Sequence, residues 1–391
     1  MNVHLKTNTR VILSLALVHF TGDFYQSFVT PLLPLFAEKF ALTLAQVGIV
    51  TGISQFLAFV VQPTAGYLAD HYQTRFFVLG GPLLSILFIS LLGVAPSFPF
   101  LLLFIALGSI GSSLFHPTCA GMVSSHAGRH FGLSMSLFGL GGTLAFAVGP
   151  FFIASFVRAF GLGAMPFTML IGLSAMIYLF LSVPMPDGEG LKSRGFFGSI
   201  GEALGPVWKS ILLIWIVMTL RSFVGQSFFT FLPILYTKQG YSLVNIGGII
   251  SLFVVAGSIS GLLAGHYSDI IGYKPIFYVS HGLATPSLIL VLHLSGGWLY
   301  AGVFLAGFFI MATLPLGVAM AQALAPKGKS MVASLMMGLA FGTGGMLTPV
   351  TGKLADIYSL PTVLALIASI PLLSVGLISF AQENKGTSAP T

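Results

Sequence analysis

The chain has 391 residues, of which 56% are hydrophobic and only 6% charged, with a mean hydropathy of +0.99; a soluble globular chain carries about 25% charged residues, so that class is excluded. The net charge of +7 is scattered singly through short loops, which argues against a nucleic-acid surface and leaves the lipid bilayer as the expected partner. A single cysteine, Cys119, excludes an intrachain disulfide and any multi-cysteine metal site.

The apolar runs last about 20 residues without the alternation of a lipid-facing barrel, so each must satisfy its backbone within a helix. The expected fold class is an all-α membrane protein. Punctuation by Gly, Pro and charge predicts twelve spans, at 11–36, 44–69, 75–95, 99–123, 131–157, 164–184, 209–236, 243–268, 274–294, 298–324, 330–355 and 360–381. The first run is too long for a cleaved signal peptide and reads as span 1. Of the 16 Lys and Arg residues, most fall on the side of the two termini. Only Lys39, Arg158, Lys238 and Lys353 lie in the opposite loops, and Arg221 lies within a span. The positive-inside rule therefore predicts both termini in the cytoplasm, with the inner membrane of a bacterium as the expected location.

Span 1 contains "VHFTGDFYQSFVTPLLP". His19, Asp23, Gln26 and Thr30 fall within about 60° of one another on a helix turning about 100° per residue, forming one polar stripe. Asp23 is the one acid placed deep in any span. Intramembrane acids mark proton and ion pathways by default, so Asp23 is the first candidate for proton coupling, with His19 beside it; the alternative is a structural acid held by its neighbours. Span 4 brings Ser109, Ser112 and His116 onto one face before Pro117. His116 either relays a proton or packs against a carbonyl freed by that proline. His116 and Cys119 are also spaced i, i+3, but with no third ligand in view the spacing reads as structural, and neither metal nor cofactor is expected. In span 7, Arg221 is the lone basic residue within a span, and Gln226 is a further polar candidate. His281 reads as a packing residue, and Arg129 and His130 as interfacial.

The longest polar interval, "PMPDGEGLKSRGFFGSIGEALGP", divides six spans from six. The domain boundaries follow as 1–184, a linker at 185–208, and 209–391. The halves repeat in one register: Gly66, Asp70 and Arg75 recur as Gly265, Asp269 and Lys274, each 199 positions on (265 − 66 = 199). Pro34 likewise pairs with Pro233, and Gly108 with Gly307. A parallel repeat of six spans is the trace of a transporter built from two related bundles.

These paired Gly, Asp and basic residues resemble the signature of the major facilitator superfamily, thinned here by His71 where an arginine is common. Within it, "HFTGDFYQSFVTPLLPLF" and "GSSLFHPTCAGMVSSHAGRHFGLSMSLFGLGGTLAFAVGP" resemble the fosmidomycin-resistance efflux family, with one departure: Thr118 stands where that family leads one to expect an acid. The resemblance implies that spans 1, 4, 7 and 10 line the transport pathway, so that Arg221, Gln26, Thr30, Ser112 and Gln226 would meet a substrate. A guanidinium there suits an anionic one, although an Asp23–Arg221 pair is the competing reading. Asp70 and Asp269, with Gly66, Arg75, Gly265 and Lys274, would form a cytoplasmic gate.

The expected function is thus a monomeric, proton-coupled exporter of a small anionic solute or drug. The alternatives are an importer of an organic acid and a non-transporting receptor or scaffold. An enzyme is disfavoured, because no second intramembrane acid or nucleophile and base accompany Asp23. A nucleotide-driven pump is disfavoured too, because no G-x-x-x-x-G-K-[ST] loop occurs.

Overall fold

The computed structural model describes residues 7–71, 74–127, 131–186, 207–324, 332 and 335–381. Among them there is no strand. The first half holds α1 (Thr9–Gln26), α2 (Val29–Lys39), α3 (Leu44–His71), α4 (Gly81–Ser90), α5 (Phe98–His126), α6 (Phe131–Phe160) and α7 (Met169–Ser182). The second holds α8 (Trp208–Lys238), α9 (Leu243–Ile271), α10 (Tyr273–Val291), α11 (Gly296–Met311), α12 (Leu314–Leu324), α13 (Phe341–Met346), α14 (Thr348–Ile357), α15 (Leu360–Ile367) and α16 (Ile370–Ser379). Of the predicted linker, residues 187–206 lie outside the described residues.

Nine helical stretches among the described residues are long and apolar enough to cross a membrane. The predicted spans outside that set have visible reasons. Span 1 carries His19 and Asp23 and is divided at Ser27–Phe28, where the Phe28 N–H donates to the Tyr25 carbonyl at 3.0 Å. Span 9 buries Ser280, His281, Thr285 and Ser287. Span 11 begins outside the described residues and is interrupted by a π-helical segment, Leu335–Ala340.

The chain divides into two compact units: residues 1–42, 53–191 and 236–251 in one, and 43–52, 192–235 and 252–391 in the other. In the first unit α1 packs on α4, α5, α6 and α7. The Tyr25 hydroxyl fastens this arrangement, donating to the Thr168 carbonyl at 2.6 Å and accepting from the Gly172 N–H at 2.9 Å. In the second unit an apolar core runs through Ile214, Val217, Met218, Phe277, Leu316 and Met320. That unit also takes in the first turns of α3. The Asp356 carboxylate, in α14, accepts from the Leu44 and Ala45 N–H groups at 2.9 and 3.0 Å, filling the amides that any helix start leaves open.

The sequence repeat reappears as geometry within each unit. Arg75 Nη1 donates to the Phe180 carbonyl at 3.2 Å, and Lys274 Nζ donates to the Ser379 carbonyl at 3.0 Å. Donors and acceptors are each 199 positions apart (274 − 75 and 379 − 180). In both units a basic residue at the start of one helical segment thus caps the carbonyl end of another helix, where cations are favoured.

Candidate functional site

Asp23 lies in the last turn of α1 with its side chain 8% exposed, and two histidines converge on it. His19, one turn earlier, brings Nε2 to 3.2 Å from Oδ2. His116, from α5, brings Nε2 to 3.5 Å from Oδ1. The i, i+4 spacing of the first pair follows from helix geometry; the second depends on α5 packing against α1.

The far side of each imidazole is held by backbone. His19 Nδ1 lies 2.8 Å from the Phe138 carbonyl, and His116 Nδ1 lies 2.7 Å from the Ser112 carbonyl. A carbonyl only accepts, so each Nδ1 carries the hydrogen and each Nε2 is turned to the carboxylate. A neutral imidazole of that tautomer would aim a lone pair at an anionic oxygen. Each Nε2···O contact therefore becomes attractive only with a proton, or another cation, lying in it.

Aromatic rings wall the cluster. Phe115 stacks on His116 with centroids 4.2 Å apart, and Phe138 lies 4.3 Å from the His19 ring. Two glycines make room for it. A Cβ at Gly142 of α6 would collide with His19 Nε2 and come within 2.9 Å of Asp23 Oδ2, and a Cβ at Gly22 would collide with the Phe115 ring.

The remaining residues of the predicted stripe go elsewhere. Half-buried Gln26 donates to Ser85 Oγ at 3.4 Å, and Ser85 donates to the Gly108 carbonyl at 3.0 Å. Thr30 is buried in α2, beyond the break. Ser112 enters the cluster through its carbonyl rather than its hydroxyl, and Ser109 bonds Ser54 at 2.8 Å. Cys119 is buried, and the two groups that gather with His116, His19 and Asp23, come from α1 rather than from its own helix. Sequence reasoning missed Gly142, Phe138 and Phe115. For Gly142 the only signal was the run "GLGG", which reads equally well as generic close packing.

In the second unit, Arg221 of α8 is 3% exposed, and its Nε and Nη2 have no hydrogen-bond partner among the described residues. Thr219 Oγ1, two residues away, is in the same state. Gln226 is half-buried in the same helix. His281 packs as expected, 3.0 Å from Thr313 Oγ1. Of the expected gate, Arg75 and Lys274 make the caps described above. The side chains of Asp70, Gly66 and Asp269, and residues Arg129 and His130, lie outside the described residues.

The family model described as Major Facilitator Superfamily matches residues 15–349. The chain is 28% identical over 386 residues to the fosmidomycin resistance protein of Escherichia coli K12, covering 97% of this chain and 94% of that one. It is 27% identical over 385 residues to the uncharacterized MFS-type transporter YfnC of Bacillus subtilis 168, covering 93% and 91%. Among solved structures it resembles the nucleoside transporter NupG, with a TM-score of 0.77 at 13% identity over 94% of this chain and 98% of that one. At that identity the likeness speaks for the fold alone.

Proposed function

Because the chain belongs to the Major Facilitator Superfamily, a family of membrane transporters rather than enzymes, we propose that it is a proton-coupled secondary transporter exporting a small anionic organic solute. The observation that carries proton coupling is the Asp23 carboxylate, buried between two imidazoles whose tautomers are fixed by backbone carbonyls. Each contact is completed by one proton. Loading and unloading the cluster changes whether α1 and α5 attract or repel through it, which is the differential interaction a conformational cycle requires. Phe115 and Phe138 limit water, which strengthens that difference.

An anionic substrate is supported by Arg221, a buried guanidinium two of whose nitrogens have no hydrogen-bond partner among the described residues. An uncompensated buried charge is costly, and an anion with two acceptor oxygens would satisfy it by a bidentate contact. Export rather than import is supported by the similarity to a relative named for drug resistance. The rest of the reading is a monomer in a bacterial inner membrane with both termini cytoplasmic. Its halves would be 1–184 and 209–391, joined by a linker at 185–208, with Asp70 and Asp269 gating the cytoplasmic side.

The test is substrate-driven pH change in proteoliposomes across a panel of small anions including a phosphonate, comparing native protein with Asp23→Asn and Arg221→Gln. Asp23→Asn is expected to retain substrate binding and lose proton movement, and Arg221→Gln to lose binding. Coupled transport that survives Asp23→Asn would refute the proton role.

A further inference from the structure

The three groups that meet at Asp23 also have the arrangement of a metal site. We propose that His19, Asp23 and His116 bind a divalent transition cation of the zinc class. The inference stands on the positions of three ligand atoms and does not require the cluster to carry protons during transport.

One ligand atom from each residue, two imidazole nitrogens and a carboxylate oxygen, all lie within 4.8 Å of one another. The closest N···O separations are 3.2 Å, from His19 to Oδ2, and 3.5 Å, from His116 to Oδ1. Zinc bonds of about 2.0–2.1 Å in a tetrahedron separate neighbouring ligand atoms by about 3.4 Å, which both N···O contacts already match, so closing on an ion needs only side-chain adjustment. Orientation is already set. A ligating histidine characteristically donates its other ring N–H to a backbone carbonyl or carboxylate, and here both do so, at 2.8 Å to Phe138 and 2.7 Å to Ser112. Neither ring can turn its Nε2 away without giving up that bond.

The donor set also selects the ion. Two imidazoles with one carboxylate suit zinc and its late first-row neighbours, whereas magnesium and calcium prefer all-oxygen shells. Three protein ligands leave a fourth position open, and the His116 side chain, 27% exposed, provides access to it. A dication also answers the electrostatic problem of the cluster. Two bare Nε2 lone pairs and a carboxylate face one another, and a metal ion supplies the same charge to that space as two protons.

The fold itself does not call for such a cluster. At the repeat positions 199 residues on, His19, Asp23 and His116 correspond to Met218, Ser222 and Pro315. Met218 and Ser222 are as deeply buried as their counterparts, with neither imidazole nor carboxylate among the three.

The experiment is titration of Co²⁺ into purified, tag-free, full-length protein in chelator-free detergent solution, reading the visible absorption of four-coordinate cobalt, followed by Zn²⁺ to displace it. One cobalt per chain is expected, with the bands bleached by one equivalent of zinc. Affinity should fall at least tenfold in both Asp23→Asn and His116→Gln and stay unchanged in His293→Gln, an exposed histidine remote in sequence. Circular dichroism melts establish that the variants are folded. A native protein that gives no stoichiometric cobalt spectrum overturns the proposal outright, as do folded Asp23→Asn and His116→Gln proteins that bind like native. Proton movement measured with excess EDTA reads the transport proposal separately, so either can fail without the other.

Discussion

Gly142→Ala is the most local way to perturb the cluster, because it replaces neither a titratable residue nor a residue whose carbonyl bonds one. The added methyl collides with His19 Nε2 and stands 2.9 Å from Asp23 Oδ2, so the imidazole must swing away. Its Nδ1 bond to Phe138 resists that movement. Overpacking of this kind costs about 1–3 kcal/mol, and separating a charge-assisted contact forfeits about 1.5–3 kcal/mol more. Against this, alanine in a helix gains about 0.5–1 kcal/mol over glycine. The net expectation is a loss of about 2–5 kcal/mol, seen as a lower melting temperature together with loss of substrate-driven proton movement in proteoliposomes. Gly139, one turn earlier on α6, has no atom within 4 Å of a built Cβ. Gly139→Ala should therefore be neutral or slightly stabilising and should leave coupling intact. If Gly142→Ala melts and transports like Gly139→Ala, the close approach of α6 to the His19–Asp23 pair does not govern the site.

Arg221→Gln is expected to lower anion transport at least tenfold while raising the melting temperature, since it removes a buried charge with two nitrogens unpaired among the described residues; a coincident loss of stability would show the arginine to be structural. Tyr25→Phe removes one donated and one accepted bond between α1 and the α7 region and should destabilise by about 1–3 kcal/mol in thermal melts. Asp356→Asn weakens the cap on the first amides of α3; the expected loss of about 0.5–2 kcal/mol should shrink with added salt, and a salt-independent effect would point to packing instead. Arg75→Met and Lys274→Met, equivalent by the repeat, should each cost under about 1 kcal/mol and add in the double variant, because they sit in separate units.

The helical class and the repeat were legible because both are written in composition and spacing. Hydrocarbon permits few backbone solutions, and a duplicated register survives at glycine, proline and signature positions even where side chains diverge. Asp23 stood out for the same reason, being the one acid deep in an apolar run. The partners of Asp23 were only half legible. His19 follows from i, i+4 spacing on one helix, whereas the meeting with His116 depends on how α5 crosses α1, and periodicity along a chain says nothing about crossings. Of the stripe, only His19 and Asp23 join the cluster: Thr30 lies beyond the break at Ser27–Phe28, and Gln26 donates to Ser85. Ser112, expected on the His116 face, meets that ring through its carbonyl, a contact open to any residue type and therefore invisible in sequence.

The repeat also isolates what is specific to this chain. Duplicated halves start with the same packing problem, and positions that still match report its solution, as the Arg75 and Lys274 caps do. Positions that differ report specialisation. The first unit places an acid and two histidines where the second has Met218, Ser222 and Pro315, and the second places Arg221 where the first has Gly22. Glycine at 22 is itself required, because the Phe115 ring that stacks on His116 occupies the space a side chain would need. An arginine could not be accommodated there without dismantling the ring wall of the cluster. The division, with the carboxylate and imidazoles in one unit and the guanidinium in the other, is thus in part a steric consequence of how Phe115 seats against α1.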